Sequence, residues 1–419
     1  MPESPATWGC GETKMSRYSI LAAVALLGPA AALADEPAGL MAGAKAGLDL
    51  RFRHESVDQD GLANDAGANT LRLRLNLATG KVHDFSAFFE LDHVQILGSD
   101  SFNSTRNGRT SYPIVADPEG TDLNQAYLQY TGLPKTTVRI GRQRIRHDGE
   151  RHIGAVGWRQ NEQTYDALTI TNETLPAVTF NYSYVTAVRR VFGPDSGNPA
   201  ADFDSDSHLL HLRLKKLPVG ALSAYFYRLD FDDAPQLSSN TLGLRYDGSR
   251  KFGTGPEFAW GLEYARQQDA ARSQASTDAG YRQIEFALKW PAFGLLAGQE
   301  VLDGSSGSFT ALTNPAFQTP LATLHKWQGW ADKFLTTPSA GIDDRYVGIN
   351  GKLAGFTGQA VWHDYQAEAT SQDYGTELDL SVARKFAKRY ELLVKYADYS
   401  TDGLFTDTSK FWVQVGAAF

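Results

Sequence analysis

The sequence predicts an all-β fold: a transmembrane, antiparallel, up-and-down β-barrel of about 18 strands with short periplasmic turns and long extracellular loops. Three observations predict it. Apolar and polar side chains alternate with period two from residue 45 onward, the connections between the alternating segments are short and long in turn, and the chain ends on an alternating strand that closes with an aromatic, Phe419. Period-two alternation is what a strand shows when its two faces meet different solvents. A chain that crosses a bilayer on strands must close into a barrel, because no backbone donor or acceptor can stay unpaired in lipid and only closure removes the sheet edge.

Composition excludes the other membrane class. The 419 residues are 42% hydrophobic and 21% charged, with a mean hydropathy of −0.34. A helical membrane protein would need runs of about 20 apolar residues and a positive mean. One long apolar run exists, Ile20 to Ala34, and it has the form of an export signal. Lys14 and Arg17 precede it, Pro29 breaks it, and Ala32-Leu33-Ala34 is a small-x-small cleavage site. Residues 1–34 are therefore expected to be an N-terminal extension and cleavable signal peptide, with Met15 as the true start and 35–419 as the exported barrel of a Gram-negative envelope. The single cysteine, Cys10, falls in the removed segment, which excludes a disulfide framework, a cysteine nucleophile and a thiolate metal site. A net charge of −8 makes nucleic acid a poor partner.

The elements follow in order. In the first two strands Leu48/Leu50/Phe52 alternate with Asp49/Arg51/Arg53, and Leu71/Leu73/Leu75/Leu77 with Arg72/Arg74/Asn76. Further strands are predicted at 85–94, 122–131, 136–146, 164–171, 177–188, 207–216, 219–230, 240–247, 256–266, 280–290, 293–302, 344–352, 355–365, 375–385, 389–399 and 410–419. Short connections carry turn chemistry, as in Thr79-Gly80-Lys81, Gly132-Leu133-Pro134, Leu217-Pro218 and Trp290-Pro291. Long polar connections fall between them near 55–69, 98–121, 147–163, 189–206, 231–239, 267–279, 303–343, 366–374 and 400–409. Loops sorted this way by length belong to an outer-membrane barrel, whose turns face the periplasm and whose loops face outward. Tyr182, Tyr184, Trp260, Tyr264, Trp290, Trp362, Tyr390 and Tyr396 fall near strand ends, where an aromatic girdle lies. The terminal Phe419 resembles the signal by which the barrel-assembly machinery recognises its clients.

With the apolar parity in lipid, the other parity lines the lumen, since a one-residue slip would put a row of charges into hydrocarbon. The pore-lining residues predicted from this parity include Arg51, Arg53, Arg72, Arg74, Arg139, Arg213 and Arg245, with Glu90 and Asp92 beside them. Arg51/Arg53 and Arg72/Arg74 sit on sequential strands, so four guanidinium groups form one basic wall. Such a wall favours anions that present carboxylates, which arginine binds bidentately. The competing reading is that these arginines pair with Glu90 and Asp92 and only solvate the interior. The densest basic stretch, Arg139 to Arg146, is read as a constriction, with a bulge near Gly141 changing the inward set. Its alternative is a strand leaving the membrane with arginine at the headgroups.

Enzyme and metal signals are weak. His147-Asp148-Gly149-Glu150-Arg151-His152 is dense in ligand types but lacks the spacing of a metal site. His93, His325 and His363 have no sequence partner suggesting a hydrolase. The stretch 303–343 is long for a hairpin loop and holds Trp327, Trp330 and Lys333, which are read as a gating loop folded over or into the pore.

Two motifs carry a family resemblance. Gly141-Arg142-Gln143-Arg144-Ile145 followed by Gly157-Trp158-Arg159-Gln160-Asn161-Glu162-Gln163-Thr164-Tyr165-Asp166-Ala167, and Gly329-Trp330-Ala331-Asp332-Lys333-Phe334 with Asp343-Asp344-Arg345-Tyr346-Val347, resemble the alginate-export family of outer-membrane barrels. The resemblance implies an 18-stranded monomeric barrel with an arginine-rich, anion-selective pore, and makes Arg142 and Arg144 pore arginines. It gives Trp158, Arg159 and Asn161 only a loop-ordering or pore-mouth role. The expectation is thus a passive, anion-favouring porin, not an enzyme and without cofactor or metal, for export or uptake of acidic saccharides or small organic anions. Its expected partners are outer-membrane lipid, including lipopolysaccharide, and the assembly machinery. The alternatives are a closed barrel whose loops bind a partner, and an outer-membrane hydrolase.

Overall fold

The computed structural model describes residues 37–197 and 200–419, so the signal segment, Met15 and Cys10 lie outside the described residues. A short helix, α1 (Pro37–Met41), precedes the sheet, and its Leu40 carbonyl accepts a hydrogen bond from the Gly80 amide at 2.6 Å. The strands are β1 (Lys45–Gln59), β2 (Ala66–Ala78), β3 (Phe85–Ile96), β4 (Gly120–Tyr130), β5 (Thr136–Gln143), β6 (Thr164–Asn172), β7 (Val178–Arg189), β8 (Asp202–Leu214) and β9 (Ala221–Leu229). They continue as β10 (Ser239–Lys251), β11 (Glu257–Asp269), β12 (Asp278–Lys289), β13 (Phe293–Leu302), β14 (Ile342–Leu353), β15 (Phe356–Gln366), β16 (Asp373–Phe386), β17 (Tyr390–Thr401) and β18 (Thr408–Ala418). Each pairs antiparallel with its sequence neighbours, and β1 pairs with β18 as well as with β2, so the 18-stranded sheet is closed. The fold is the one the alternation predicts. No described helix is long and apolar enough to cross a membrane, a statement that does not bear on strands.

The pleat sorts the side chains as the two solvents require. Leu242 (64% exposed), Val347 (53%) and the other large exposed apolar residues of the strands point outward, whereas the opposite parity is buried and charged. That charged parity is covered because the lumen is filled. Ile153, Phe317 and Leu321 from loops pack with Tyr225, Tyr281 and Trp412 from strands into one apolar cluster, so the core lies inside the barrel.

Several strand boundaries differ from the sequence reading, those of β5 and β8 among them. β5 ends at Gln143 rather than Arg146, because Arg144 turns into the lumen to meet Glu90 and Glu162. β8 begins at Asp202, earlier than the polar run suggests, since Asp202 and Asp204 pair in register with Arg189 and Ala187. The bulge expected at Gly141 is absent, and β5 keeps an unbroken register with both neighbours. Gly141 serves close packing instead: at φ 120° a Cβ there would lie 2.3 Å from the Ala126 carbonyl oxygen. The register shifts fall between Glu90/Leu91, Asp166/Ala167, Val185/Ala187 and Tyr365/Gln366.

Candidate functional site

The loop 144–163, here L3, crosses the lumen and bonds to walls on several sides. On the β1–β2 side Arg51 donates to Gln160 Oε1 at 2.9 Å, to the Gly157 carbonyl at 3.0 Å and to the Arg159 carbonyl. Arg53 donates to the Trp158 carbonyl at 2.6 Å, lies over the Trp158 ring at 4.0 Å and pairs with Asp117 at 3.3 Å. Arg74 grips Asp92 with two bonds of 2.6 Å and Glu162 with one of 2.8 Å. Arg72 pairs with Asp49, and Arg144 bridges Glu162 and Glu90. The four arginines of β1 and β2 therefore do share one wall, and much of their capacity holds L3 in place.

On the far side, His147 stacks on His211 of β8 with ring centres 4.6 Å apart. Asp148 accepts from His211, Ser223 and Arg213 at 2.8, 2.8 and 2.9 Å, and Arg213 also meets Asp247 at 2.8 Å. Burial, with His211 next to it, drives the His147 imidazole down to about 3, so it is neutral. Burial opposes ionisation of Asp148, yet its hydrogen bonds and the Arg213 charge hold it below the usual carboxylate range. Arg151 reaches Glu300 of β13 at 2.5 Å, and His152 reaches Glu263 of β11 at 3.0 Å. Arg245 closes that group with bonds of 2.7 Å to Glu263 and 2.8 Å to Gln283.

The loop 303–341, L7, meets L3 above this network. The Gly154 amide donates to the Leu321 carbonyl at 2.8 Å, the Thr323 amide to the Glu150 carbonyl at 3.0 Å, and Ile153 and Leu321 form a parallel bridge. Trp158 stacks on His325 at 4.5 Å. Lys395 of β17 places its ammonium 4.1 Å from the Trp158 ring, 3.7 Å from Trp330 and 2.8 Å from His325 Nε2. Burial and then the Lys395 charge push the His325 imidazole well below its ordinary value. Asp332 takes Arg159 at 2.9 Å, Lys410 at 2.8 Å and His325 at 2.8 Å; burial resists its charge, but Lys410, His325 and Arg159 hold it well below the usual range. Trp327 lies against Arg151, with the guanidinium 5.5 Å from its ring.

At the junction lies a cavity of about 680 Å³ lined largely by loop residues. L3 and L7 line it together with Gln59, Leu62, parts of 103–116 and the segment Arg190 to Phe192. Four cations line it, Arg159, Arg190, Lys333 and Lys410, against one carboxylate, Asp332; Tyr112, Phe192 and Leu335 supply apolar surface. Burial, with Lys410 beside it, lowers the Lys333 ammonium to about 8.

Of the residues singled out from sequence, Arg51, Arg53, Arg72, Arg74, Glu90, Asp92, Arg139, Arg144, Arg213 and Arg245 all take lumenal positions. Arg139 donates to Gln129 at 2.8 Å near the periplasmic end. Arg142 is a correction: with no bulge at Gly141 it falls on the outward parity, where it pairs with Asp166 at 2.8 Å. Trp327, Trp330 and Lys333 lie in L7, at the L3 contact, the Lys395 contact and the cavity wall respectively. Sequence reasoning placed Asp332 in a family motif without giving it a role, and passed over Lys410 and Trp412, the last of which packs edge-on to Trp158 at 5.9 Å. Lys410 sits on the inward parity of the last strand, which is the one signal that could have found it. Among the described residues no group of three or more His, Cys, Asp or Glu is arranged to hold a metal.

Comparison with known proteins adds the following. A sequence model for a family described as alginate export matches residues 43–301. No curated protein matches. Similar solved structures include OccAB4 of Acinetobacter baumannii, 14% identical, covering 90% of this chain and 98% of its own, at a TM-score of 0.70. OccAB2 of the same organism is 15% identical, with 91% and 99% covered and a TM-score of 0.71. Pseudomonas aeruginosa OpdK, solved with vanillate, is 12% identical, with 91% and 100% covered and a TM-score of 0.69. At these identities the likeness concerns the fold.

Proposed function

Because the chain belongs to the alginate export family and is a porin-like barrel of the bacterial outer membrane, we propose that it is a passive, anion-favouring channel for small organic anions, not an enzyme. The observation that carries this reading is the cavity lined by L3 and L7, where Arg190 and Lys333 add positive charge beside Arg159 and Lys410, which hold Asp332 and, from Arg159, the buried Glu55. A field of this sign concentrates anions at the mouth and needs neither cofactor nor energy source. The apolar surface from Tyr112, Phe192 and Leu335 suits the hydrocarbon part of a small carboxylate. Vanillate, found with OpdK, is a carboxylate of that kind.

The fixed contact of L3 with L7 favours small anions over a polyuronate chain, since a polymer would have to thread a lumen in which Ile153 and Leu321 are bridged. Proteoliposomes tested by osmotic swelling with small monocarboxylates, neutral sugars of equal size and an oligouronate examine this. Faster entry of the monocarboxylate than of the sugar, with no entry of the oligouronate, supports the reading. Equal rates for carboxylate and sugar would remove the anion preference, and oligouronate entry would restore an alginate-like cargo. Lipopolysaccharide contact, recognition of Phe419 during assembly and a monomeric state belong to the same proposal.

A further inference from the structure

The outer face near the periplasmic turns holds a feature that transport does not use. On β14 and β15, Gly351 and Gly358 stand directly opposite each other on the lipid-facing parity. Two missing side chains in register dent a surface that is otherwise a continuous apolar band, and the dent widens into a groove of about 740 Å³. Ile349, Ala360 and Leu380 border it toward the membrane centre, and Phe293, Leu353 and Phe356 toward the periplasm. Leu353 is 82% exposed at the hairpin tip, a position a leucine tolerates when it dips into lipid.

The periplasmic end of this groove is basic although the chain as a whole carries −8. Arg384 faces outward beside Phe356 in the register and lays its guanidinium 4.8 Å from that ring. The following turn adds Lys385, Lys388 and Arg389, with Glu391 the nearby acid and already 3.4 Å from Lys385. An apolar trough running from mid-membrane to a cationic rim has the polarity of one phospholipid: hydrocarbon above, phosphate below.

We propose that this groove binds an anionic phospholipid of the periplasmic leaflet, with an acyl chain over Gly351 and Gly358 and the phosphate at Arg384. The short turns at this end place the groove in the leaflet opposite lipopolysaccharide. A second copy of the chain, the other possible cover for an apolar trough, would have to bring its own counter-charge to Arg384 and its neighbours.

The test is native mass spectrometry of the full barrel in a mild non-ionic detergent, titrated with phosphatidylglycerol or phosphatidylcholine. Two variants accompany the wild type. Gly358→Leu fills the trough, and the strand accepts it because a Cβ there meets only the Ser381 carbonyl oxygen at 3.7 Å. Arg384→Gln removes the rim cation nearest the groove. The wild type should retain one phosphatidylglycerol in preference to phosphatidylcholine, and each variant should weaken that retention about fivefold, with the heat-modifiable electrophoretic mobility of a folded barrel unchanged. Equal retention by wild type and both variants overturns the proposal. So does a wild-type dimer without retained lipid that Gly358→Leu converts to monomer.

Discussion

Lys395 on β17 holds its ammonium 3.7 Å from the centre of the Trp330 ring, so a wall strand is fastened to the loop that crosses the lumen. The same ammonium lies 4.1 Å from Trp158, which belongs to the other crossing loop. One charge thus ties L3, L7 and the barrel wall together through two aromatic faces. A desolvated cation–π contact of this kind is worth about 2 kcal/mol.

Trp158→Ala should loosen that fastening. It removes the Lys395 contact, the His325 stack and the ring beneath Arg53 while leaving the strands intact. Single-channel recording should show a larger and noisier conductance than the wild type. Unchanged conductance and noise would mean that the two loops are fixed by other contacts.

Arg74→Met should destabilise the barrel by about 3–5 kcal/mol, the cost of breaking a buried ion-pair network from one side. Asp92, Glu162 and Glu90 would be left crowded around a missing cation. At present Glu162 is held down to about 2, where burial is outweighed by Arg74 and Arg144. Thermal unfolding followed by circular dichroism checks this, and a wild-type midpoint would contradict it.

Anion preference should depend on pH through Lys333. Burial and the neighbouring Lys410 lower this ammonium to about 8, with Glu377 and Asp407 pulling the other way. It is charged below that value, so selectivity should be full on the acid side and fall as pH rises through about 8. Reversal potentials measured from pH 6.5 to 9.5 should show the step, and Lys333→Gln should flatten it at the lower level. A step that survives in Lys333→Gln assigns the titration elsewhere.

Cysteines at Ile153 and Leu321 should cross-link on oxidation, since those residues form a parallel bridge and the exported chain is expected to carry no other thiol. If small anions pass around the joined loops, conductance should be the same oxidised and reduced. Loss of conductance on oxidation would show that L3 and L7 must part for transport.

The barrel was legible in the sequence because lipid on one face and water on the other impose a rule on every strand. Leu71, Leu73 and Leu75 alternate with Arg72 and Arg74 whatever the cargo, and the turn chemistry marks each reversal. The lumenal parity of Arg51, Arg53, Arg72 and Arg74 followed directly. Their partners did not, because Gln160, Trp158 and Glu162 come from a loop about a hundred residues away whose path obeys no period. Arg142 shows the limit within a strand: a glycine next to it suggested a bulge, and the structure uses that glycine for close packing against Ala126 instead. The cavity was beyond reach for a similar reason, since Arg159, Lys333 and Lys410 meet only after L3, L7 and β18 converge.

If the cations lining the cavity between L3 and L7 make the channel prefer anions, the most direct measurement is the reversal potential of the purified barrel in a planar bilayer under a potassium chloride gradient. A potential of the sign set by chloride, reduced when Lys333 and Arg190 are replaced by glutamine and shifted by an added monocarboxylate, is the predicted result. A potential of the sign set by potassium, or one that those replacements leave unchanged, contradicts it.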